Sequence, residues 1–336
     1  MDTKVSIVIP VYNTAPYLRE CLDAIRRQTY DVWEAVCIDD GSTDGSGEML
    51  DEYATQDVRI RVLHQCNAGV SAARNRGLSE ATGEWVWFVD GDDVISREAL
   101  ANVVGAVHAH PDSFSVAIGC TQRRKALEEP KSIEECGLIR YDGYGDESLQ
   151  LFFCGAWGNV LRRDALEGLE FLSYRRNEDG LFMLQAYWRG RVHLKLNCKF
   201  YYYRERPGSA TQIRPQVADV ASTFETQRMM VGIMSKEESR HPGIVFAKSW
   251  EHLHGFCLYT YSGMFFKLSS DGRKALLGEW LELLDNFEGR YPIRMEWRLR
   301  IWLVRIFKSA RLAPFFVLWV PKWVRLVKRF LRWSWR

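Results

Sequence analysis

The first hundred residues alternate between short apolar runs and segments with apolar residues at helical spacing, and this alternation constrains the fold more than any other feature. The run from Val5 to Ile9 is rich in β-branched residues and ends at Pro10, and Leu18, Leu22 and Ile25 then recur at helical spacing. The same step repeats: predicted strands occupy residues 5–9, 33–38, 60–63 and 84–89, and predicted helices occupy residues 17–28, 46–53 and 71–78. Such alternation predicts an α/β fold with a mainly parallel central sheet flanked by helices.

Polar residues follow three of these predicted strands. They are Asn13 after the first strand, Asp39 and Asp40 after the second, and Asp90 and Asp92 after the fourth. Open parallel sheets bind their ligands beyond the carboxyl ends of the strands, so we expect these loops to meet at one edge of the sheet. The sequence therefore predicts a polar ligand site there.

The segment Asp90-Gly91-Asp92 places two carboxylates close together at the end of an apolar strand. Like charges at short range raise one another's pKa, and a divalent cation removes that cost. Mg²⁺ and Mn²⁺ take one or two protein carboxylates and complete their shells with water and phosphate oxygens, so the pair suits a nucleotide diphosphate. The alternative interpretation is a turn in which Asp93 caps a helix that starts near Ser96.

Two further residues suggest binding of a nucleotide. Asp40, at a predicted strand end, can accept hydrogen bonds from a base or from ribose hydroxyls. Arg74 supplies a fixed positive charge within reach of such a donor, although an arginine on a helix more commonly lies on a solvated or ion-paired face. Neither residue is specific by itself.

Four motifs in one order carry a more specific signal. They are Val5–Asn13, Ile38–Asp44, Asn67–Gly69 with Ala73–Asn75, and Phe88–Asp93. In order and spacing the chain resembles the family 2 inverting glycosyltransferases of the bacterial surface-polysaccharide type, closely over residues 4–100 and more loosely to about residue 210. The resemblance implies the GT-A nucleotide-diphospho-sugar transferase fold with a helical C-terminal region.

The resemblance also implies which residues hold the donor. Pro10, Tyr12 and Asp40 are expected to hold the nucleoside. Asp39 is expected to support the loop, and Arg74 to approach the base or the phosphates. These five positions match motifs of the family, and a uridine nucleotide is favoured through the same resemblance.

By the same resemblance, Asp90 faces the ribose or the metal and Asp92 ligates Mn²⁺ or Mg²⁺ directly. Asp179 matches the family's catalytic base, and Arg204, with Gly208–Ser209, matches a loop that closes over the donor. The chemistry agrees, because an acceptor hydroxyl needs a carboxylate to take its proton as it attacks. A metal neutralises the departing diphosphate. A single displacement of this kind inverts the anomeric centre.

The expected function is therefore metal-dependent, inverting transfer of one sugar, of the hexosyltransferase type, from a UDP-sugar to a glycan or lipid-linked hydroxyl in cell-surface polysaccharide synthesis. The alternative is a non-catalytic glycan- or nucleotide-binding scaffold on a degenerate GT-A fold. A sugar-nucleotide pyrophosphorylase would carry a Gly-rich phosphate loop after the first strand. A processive synthase would carry spanning helices and a Gln-x-x-Arg-Trp motif, and the sequence shows neither.

Beyond the motifs, the chain divides by composition. We expect a catalytic domain at residues 1–215, with its donor half at about 1–100 and its acceptor half at about 101–215, then a helical extension at 216–290. Residues 291–336 hold twelve Lys or Arg and one Glu, a tail of +11 in a chain of net charge +2. Basic helices with Trp, Phe and Leu on the reverse side are typical of segments that lie on anionic membranes.

The tail thus predicts a peripheral protein on the inner face of the cell membrane. The alternative is that it packs on the protein's own core or in an oligomer. Nucleic acid is not an expected partner, since no nucleic-acid motif accompanies the charge. The eight cysteines are scattered singly, which favours a location in a reducing cytoplasm. The sequence contains no run of eighteen apolar residues, so no membrane-spanning helix is predicted.

Overall fold

The computed structural model describes residues 2–122, 127–130, 132–206, 214–244, 246–256, 262–265 and 267–287. The chain forms two compact units, Met1–Ser209 and Ala210–Arg336. The basic tail at residues 291–336 and the Gly208–Ser209 part of the predicted closing loop lie outside the described residues.

The first unit contains a sheet that has nine strands within the described residues, in the order β3-β2-β1-β4-β8-β6-β9-β5, with β7 also paired to β9. The strands are β1 Val5–Val11, β2 Trp33–Asp39, β3 Ile60–His64, β4 Trp85–Phe88, β5 Val94–Ile95, β6 Ser115–Thr121, β7 Leu138–Asp142, β8 Asn159–Arg162 and β9 Val192–Tyr202. The helices are α1 Ala15–Arg26, α2 Ser46–Gln56, α3 Val70–Glu80, α4 Ala99–Ala109, α5 Ile133–Cys136, α6 Asp146–Gln150 and α7 Glu178–Tyr187, with 3-10 turns at Ala156–Gly158 and Asp164–Leu166.

The N-terminal part of the sheet is parallel, as its sequence predicts. Strand β1 pairs in parallel with both β2 and β4, and β2 pairs in parallel with β3. Every residue of β1 and β2 is buried, as expected for strands covered on both faces. The predicted α/β class is confirmed.

Beyond β4 the sheet is mixed. Strand β8 runs antiparallel to β4 and to β6, while β6 and β9 are parallel. A parallel neighbour needs a crossover of a dozen or more residues, usually a helix, and the regular alternation of strands and helices that supplies such crossovers stops near residue 100. The mainly parallel pattern therefore belongs to the part of the sheet formed by residues 5–88.

Helix α3 packs closely on the parallel strands. A Cβ at Gly77 would overlap Cγ1 of Val8 in β1 and would lie 3.5 Å from Cγ1 of Ile38 in β2. Glycine costs a helix about 1 kcal/mol relative to alanine, and here it allows close contact. This contact holds Arg74, one turn earlier on α3, against the edge of the sheet.

The described part of the second unit is helical, with α8 Val217–Arg240, α9 Ala247–Phe256, α10 Ser262–Phe265 and α11 Ser270–Asp285. Helix α8 begins with a capping box between Gln216 and Asp219. Arg228 of α8 donates to Glu279 of α11 at 2.8 Å. The predicted helical C-terminal region is confirmed. No helix among the described residues is long and apolar enough to cross a membrane.

Candidate active site

The loops that follow β1 and β2 are tied to each other at the carboxyl ends of their strands. Asn13 adopts a left-handed backbone conformation (φ 51°), and its side-chain oxygen accepts a hydrogen bond from the Thr43 N–H at 2.8 Å. The Asn13 N–H donates to the Ser42 hydroxyl at 3.1 Å. These bonds fix the β2–α2 loop, residues 40–45, against the end of β1. Pro10 is buried in β1, whereas Tyr12 is 49% exposed beside this loop.

Asp39 organises the β2–α2 loop from within. Its carboxylate accepts the Ser42 N–H at 3.0 Å and contacts Nδ1 of His64 at 2.9 Å. Burial acts to raise the pKa of Asp39, but the hydrogen bonds from Ser42 and His64 outweigh it and lower that pKa. Asp39 is therefore ionised, and its hydrogen bonds hold the β2–α2 loop in place. The structure thus places Asp39 where the predicted loop-supporting residue is expected.

Asp40 is buried and fully engaged with the loop that precedes α3. Its carboxylate accepts the backbone N–H groups of Ala68 and Gly69, both at 2.8 Å, and the side-chain amide of Gln65 at 2.7 Å. In the structure these bonds join the end of β2 to the start of α3. The contact of Asp40 with a nucleoside stays a prediction.

Arg74 joins two acidic segments that are far apart in sequence. Its guanidinium donates to Asp90 at 3.0 Å and to Glu178 at 2.9 Å, and it lies 5.4 Å from the centre of the Phe171 ring. Burial acts to lower the pKa of Arg74, but the neighbouring carboxylates raise it. The structure thus places Arg74 between the strand-end carboxylate and the first residue of α7. The predicted contact with base or phosphate stays a prediction.

Asp179, the predicted base, lies in the first turn of α7 next to Glu178. Asn177, in a left-handed conformation (φ 64°), precedes the helix, and Oδ1 of Asp179 accepts the Gly180 N–H at 2.7 Å. Burial raises the pKa of Asp179, Arg74 opposes this, and the negative charge of Asp90 adds to the rise. A raised pKa moves a carboxylate towards the range in which it exchanges protons effectively.

The Asp90–Asp93 turn disfavours the ionised form of two of its carboxyl groups. Burial raises the pKa of Asp92, and the charge of Asp90 adds to it. Burial and the charge of Asp90 also raise the pKa of Asp93 to about 8. Asp93 does not cap a helix: it accepts the Tyr201 hydroxyl and the Arg204 N–H, both at 2.7 Å, while residue Glu98 precedes α4. The turn itself is present, since the Asp93 N–H donates to the Asp90 carbonyl at 3.0 Å. The interpretation of Asp93 as a helix cap is wrong, because Tyr201 of β9 and the backbone of Arg204 engage its carboxylate.

Two arginines from the end of β9 face this turn. Arg204 donates through Nε to the backbone oxygen of Asp92 at 2.8 Å, pairs with Glu20, and lies 5.1 Å from the Tyr17 ring. Arg206 pairs with the carboxylate of Asp92. Arg204 is thus placed at the predicted metal turn. Sequence reasoning missed Arg206, and the Arg204-Glu205-Arg206 pattern was the available signal.

The residues present fit a divalent cation. Within the described residues no group of three or more His, Cys, Asp or Glu side chains converges on a metal position. Mg²⁺ can be held by only one or two protein carboxylates, with water and substrate phosphates as its other ligands. Asp90 and Asp92 are such a pair, and in the part of the chain that the structure describes Oδ2 of Asp90 has no hydrogen-bond partner. The raised pKa of Asp92 marks negative charge that a cation would relieve.

Sequence reasoning also missed two residues that connect the predicted ones. His64 lies between Asp39 and Asp51, at 2.9 and 3.0 Å. Glu178, the residue before Asp179, is the second partner of Arg74. Both contacts cross between elements, and local sequence pattern does not reveal such contacts.

Known proteins resemble this chain in sequence and in fold. The model of glycosyl transferase family 2 matches residues 6–169. The uncharacterized glycosyltransferase EpsJ of Bacillus subtilis is 33% identical over 222 residues, 62% of this chain and 63% of EpsJ. The glycosyltransferase GlyG of Streptococcus pneumoniae is 32% identical over 222 residues, 62% of this chain and 73% of GlyG. The matched part of the chain thus spans less than two thirds of EpsJ.

Among solved structures, residues 1–349 of S. aureus TarS in complex with UDP-GlcNAc superimpose with a TM-score of 0.71. The alignment covers 94% of this chain and 90% of that one, at 21% sequence identity. The TM-score shows that the two chains share a fold, and at this identity the likeness shows the fold alone.

Proposed function

This chain belongs to glycosyltransferase family 2, and we propose that it transfers a single sugar from a UDP-sugar to a hydroxyl of a glycan or lipid-linked acceptor, with inversion at the anomeric carbon. In this proposal residues 1–215 form the catalytic domain, with the donor bound by the half before residue 100. The expected setting is synthesis of a cell-surface polysaccharide.

One observation carries the proposal: Arg74 contacts both the strand-end turn and the helix that bears Asp179. Its bonds to Asp90 and Glu178 bring together three segments separated by 16 and 104 residues along the chain. The turn would bind the donor's leaving group, and Asp179 would meet the acceptor. Because these two acidic partners belong to different elements, Arg74 fixes the position of the turn relative to the start of α7.

Asp179 is the proposed general base. It would take the proton of the acceptor hydroxyl as that oxygen attacks the anomeric carbon, while the bond from that carbon to the diphosphate oxygen breaks and the diphosphate leaves with the electron pair. Burial raises the pKa of Asp179 above its ordinary value, and the positive charge of Arg74 opposes that rise. This balance suits a base.

Asp90 and Asp92 would hold Mn²⁺ or Mg²⁺. When bound, the ion neutralises charge on the leaving diphosphate. Arg204 and Arg206, at the same turn, place two further positive charges beside it. The side chain of Arg206 would move from Asp92 towards the donor phosphates as the carboxylate takes up the ion, since one carboxylate oxygen serves one partner well.

A UDP-sugar is the first donor to test because TarS, which has the same fold, binds UDP-GlcNAc. The nucleoside would lie over Pro10 and the exposed ring of Tyr12, against the β2–α2 loop. The fixed conformation of that loop would limit the entropy lost on binding.

The test is a panel of nucleotide sugars with Mn²⁺, with Mg²⁺ and with a chelator, measured by release of the free nucleotide with water or added glycosides as acceptors. We expect release from UDP-sugars, dependent on the ion. Binding of nucleotide without any turnover would favour the scaffold alternative. Full activity in chelator would remove the metal assignment.

A further inference from the structure

His64, the last residue of β3, bridges the two elements that flank the β2–α2 loop. Its Nδ1 lies 2.9 Å from Oδ2 of Asp39, the last residue of β2. Its Nε2 lies 3.0 Å from Oδ1 of Asp51, in α2. The imidazole therefore connects β2, which precedes the β2–α2 loop, to α2, which follows it.

The bridge requires a charged imidazole. A carboxylate only accepts hydrogen bonds, and a neutral imidazole has a single N–H, so only the imidazolium satisfies both contacts. The hydrogen bonds to Asp39 and then Asp51 raise the pKa of His64 above its ordinary value, and partial burial opposes them only weakly.

The charged groups around His64 come from three elements. Asp39 faces it from β2, Asp51 from α2, and Arg76 of α3 donates to its backbone carbonyl at 2.8 Å. The two carboxylates favour the protonated form and Arg76 opposes it. Two partners at the ring nitrogens outweigh one cation at the backbone.

The two contacts of His64 are unequal. The side chain of Asp39 is 8% exposed, whereas that of Asp51 is 62% exposed. A buried carboxylate loses more from a missing donor than one in water. When His64 is neutral, its remaining N–H therefore stays on Asp39, and the contact with Asp51 of α2 is lost.

The fit between α2 and the bridge leaves little room. A Cβ at Gly47, in the first turn of α2, would lie 2.9 Å from Oδ2 of Asp39 and 3.5 Å from Cε1 of His64. The helix thus lies against the same oxygen that His64 contacts. Loss of a His64 hydrogen bond would therefore alter the packing of the first turn of α2 and of the loop before it.

We propose that His64 is a positioning residue for nucleotide binding: as an imidazolium it ties α2 to β2 and β3, and it releases α2 and loosens the β2–α2 loop when it loses its proton. This inference rests on the proposed function, since the loop is taken to receive the nucleotide. The contribution is fully present below the ordinary histidine pKa of about 6.5 and is lost as pH rises through the higher pKa of the folded protein.

The experiment measures, on the full chain, the pKa of His64 by NMR and the affinity for UDP by calorimetry between pH 6.5 and pH 9. We expect UDP binding to weaken about three- to tenfold over this range, because a loosened loop must be ordered again when the nucleotide binds. In steady-state assays the donor KM should follow the same trend while kcat stays within about twofold, since His64 contacts no reacting group.

The variants separate positioning from a general structural role. His64→Gln cannot titrate and should show the weaker affinity at every pH once the titration of UDP itself, common to both proteins, is subtracted. Asp51→Asn keeps an acceptor without charge and should move the transition to lower pH. His108→Gln, which alters an exposed histidine bonded to Thr3, should leave the pH profile of the wild type unchanged.

A His64 pKa at or below its ordinary value, or equal pH profiles for the wild type and His64→Gln, would overturn the inference. If UDP fails to bind at any pH, the proposed function fails. Because the NMR titration needs no ligand, it still reports whether His64 holds its two carboxylates, so the two failures are distinguishable.

Discussion

The molecule carries two acidic turns at the same edge of its sheet, and the pKa values of carboxyl groups in the two turns are shifted in opposite directions. After β2, Asp39 and Asp40 accept hydrogen bonds from backbone N–H groups and side chains, and the pKa of Asp39 is lowered. After β4, the pKa values of Asp92 and Asp93 are raised by burial and mutual repulsion. The first turn holds its carboxylates through hydrogen bonds within the protein, whereas in the second turn burial and the charge of Asp90 disfavour the anions, a cost that a bound cation would remove.

The largest effect is expected at the second turn. Asp92→Ala removes a proposed metal ligand and should reduce sugar transfer below detection and abolish metal-dependent nucleotide binding, while the fold remains intact. Calorimetric titration with Mn²⁺ and UDP, together with a thermal melt, measures both. Asp31→Ala, at a surface carboxylate that is 87% exposed, is the matched control. Unchanged metal binding in Asp92→Ala would show that the turn after β4 holds no metal ion through Asp92, and the proposed difference between the two turns would fail.

The next effect concerns the base beside the second turn. Asp179→Asn keeps size and hydrogen bonding but cannot take a proton, so turnover should fall by about 10²–10⁴-fold while UDP still binds. Because the pKa of Asp179 is raised, wild-type kcat should fall as pH drops through a value above the ordinary one for aspartate, and this limb should vanish in the variant. Near-normal turnover would assign the base elsewhere, first to Glu178.

A smaller effect is expected at the first turn. Asp40→Asn replaces one carboxylate oxygen by an NH₂ group, which cannot accept the hydrogen bonds of the loop before α3. One unsatisfied buried donor lowers the free energy of unfolding by about 1–3 kcal/mol. The melting temperature and the affinity for UDP should both fall, whereas Asp31→Asn should leave both unchanged. If Asp40→Asn instead weakens UDP binding without any loss of stability, Asp40 acts on the nucleotide directly and the first turn is more than a support.

The smallest effect on either turn should follow removal of residues 291–336, because every proposed donor-site residue precedes them. The truncated protein should bind UDP as the full chain does. The full chain should sediment with vesicles that contain anionic lipid, only partly weakened by salt, since each basic residue contributes about 1 kcal/mol near such a surface. Full-length protein that ignores these vesicles, or truncation that unfolds the first unit, would assign the tail to packing or to an oligomer.

The comparison between the turns also shows what the sequence could predict. The strands and helices of the first hundred residues followed from uninterrupted apolar runs and helical spacing, and the family resemblance is confirmed by the match over residues 6–169. That Asp39, Asp40, Asp90 and Asp92 share one edge followed from the topology of a parallel sheet.

What could not be predicted depends on contacts between distant segments. Arg74 meets Glu178 across 104 residues, and Asp93 is held by Tyr201 of β9, 108 residues away. No periodicity encodes these pairs, because they arise only when α7 and β9 take their places in the fold. For the same reason the alternative of Asp93 as a helix cap fails.

The close contact of α3 with the sheet has a consequence for engineering. Since even a methyl group at Gly77 would overlap Val8, α3 lies directly on the sheet and presents Arg74 from a helix with no space beneath it. Substitutions that add volume beneath α3 are therefore expected to displace Arg74 and to disturb the site that they were meant to enlarge. Libraries aimed at new donor specificity should leave α3 unchanged and diversify the surface around Tyr12, whose ring is 49% exposed.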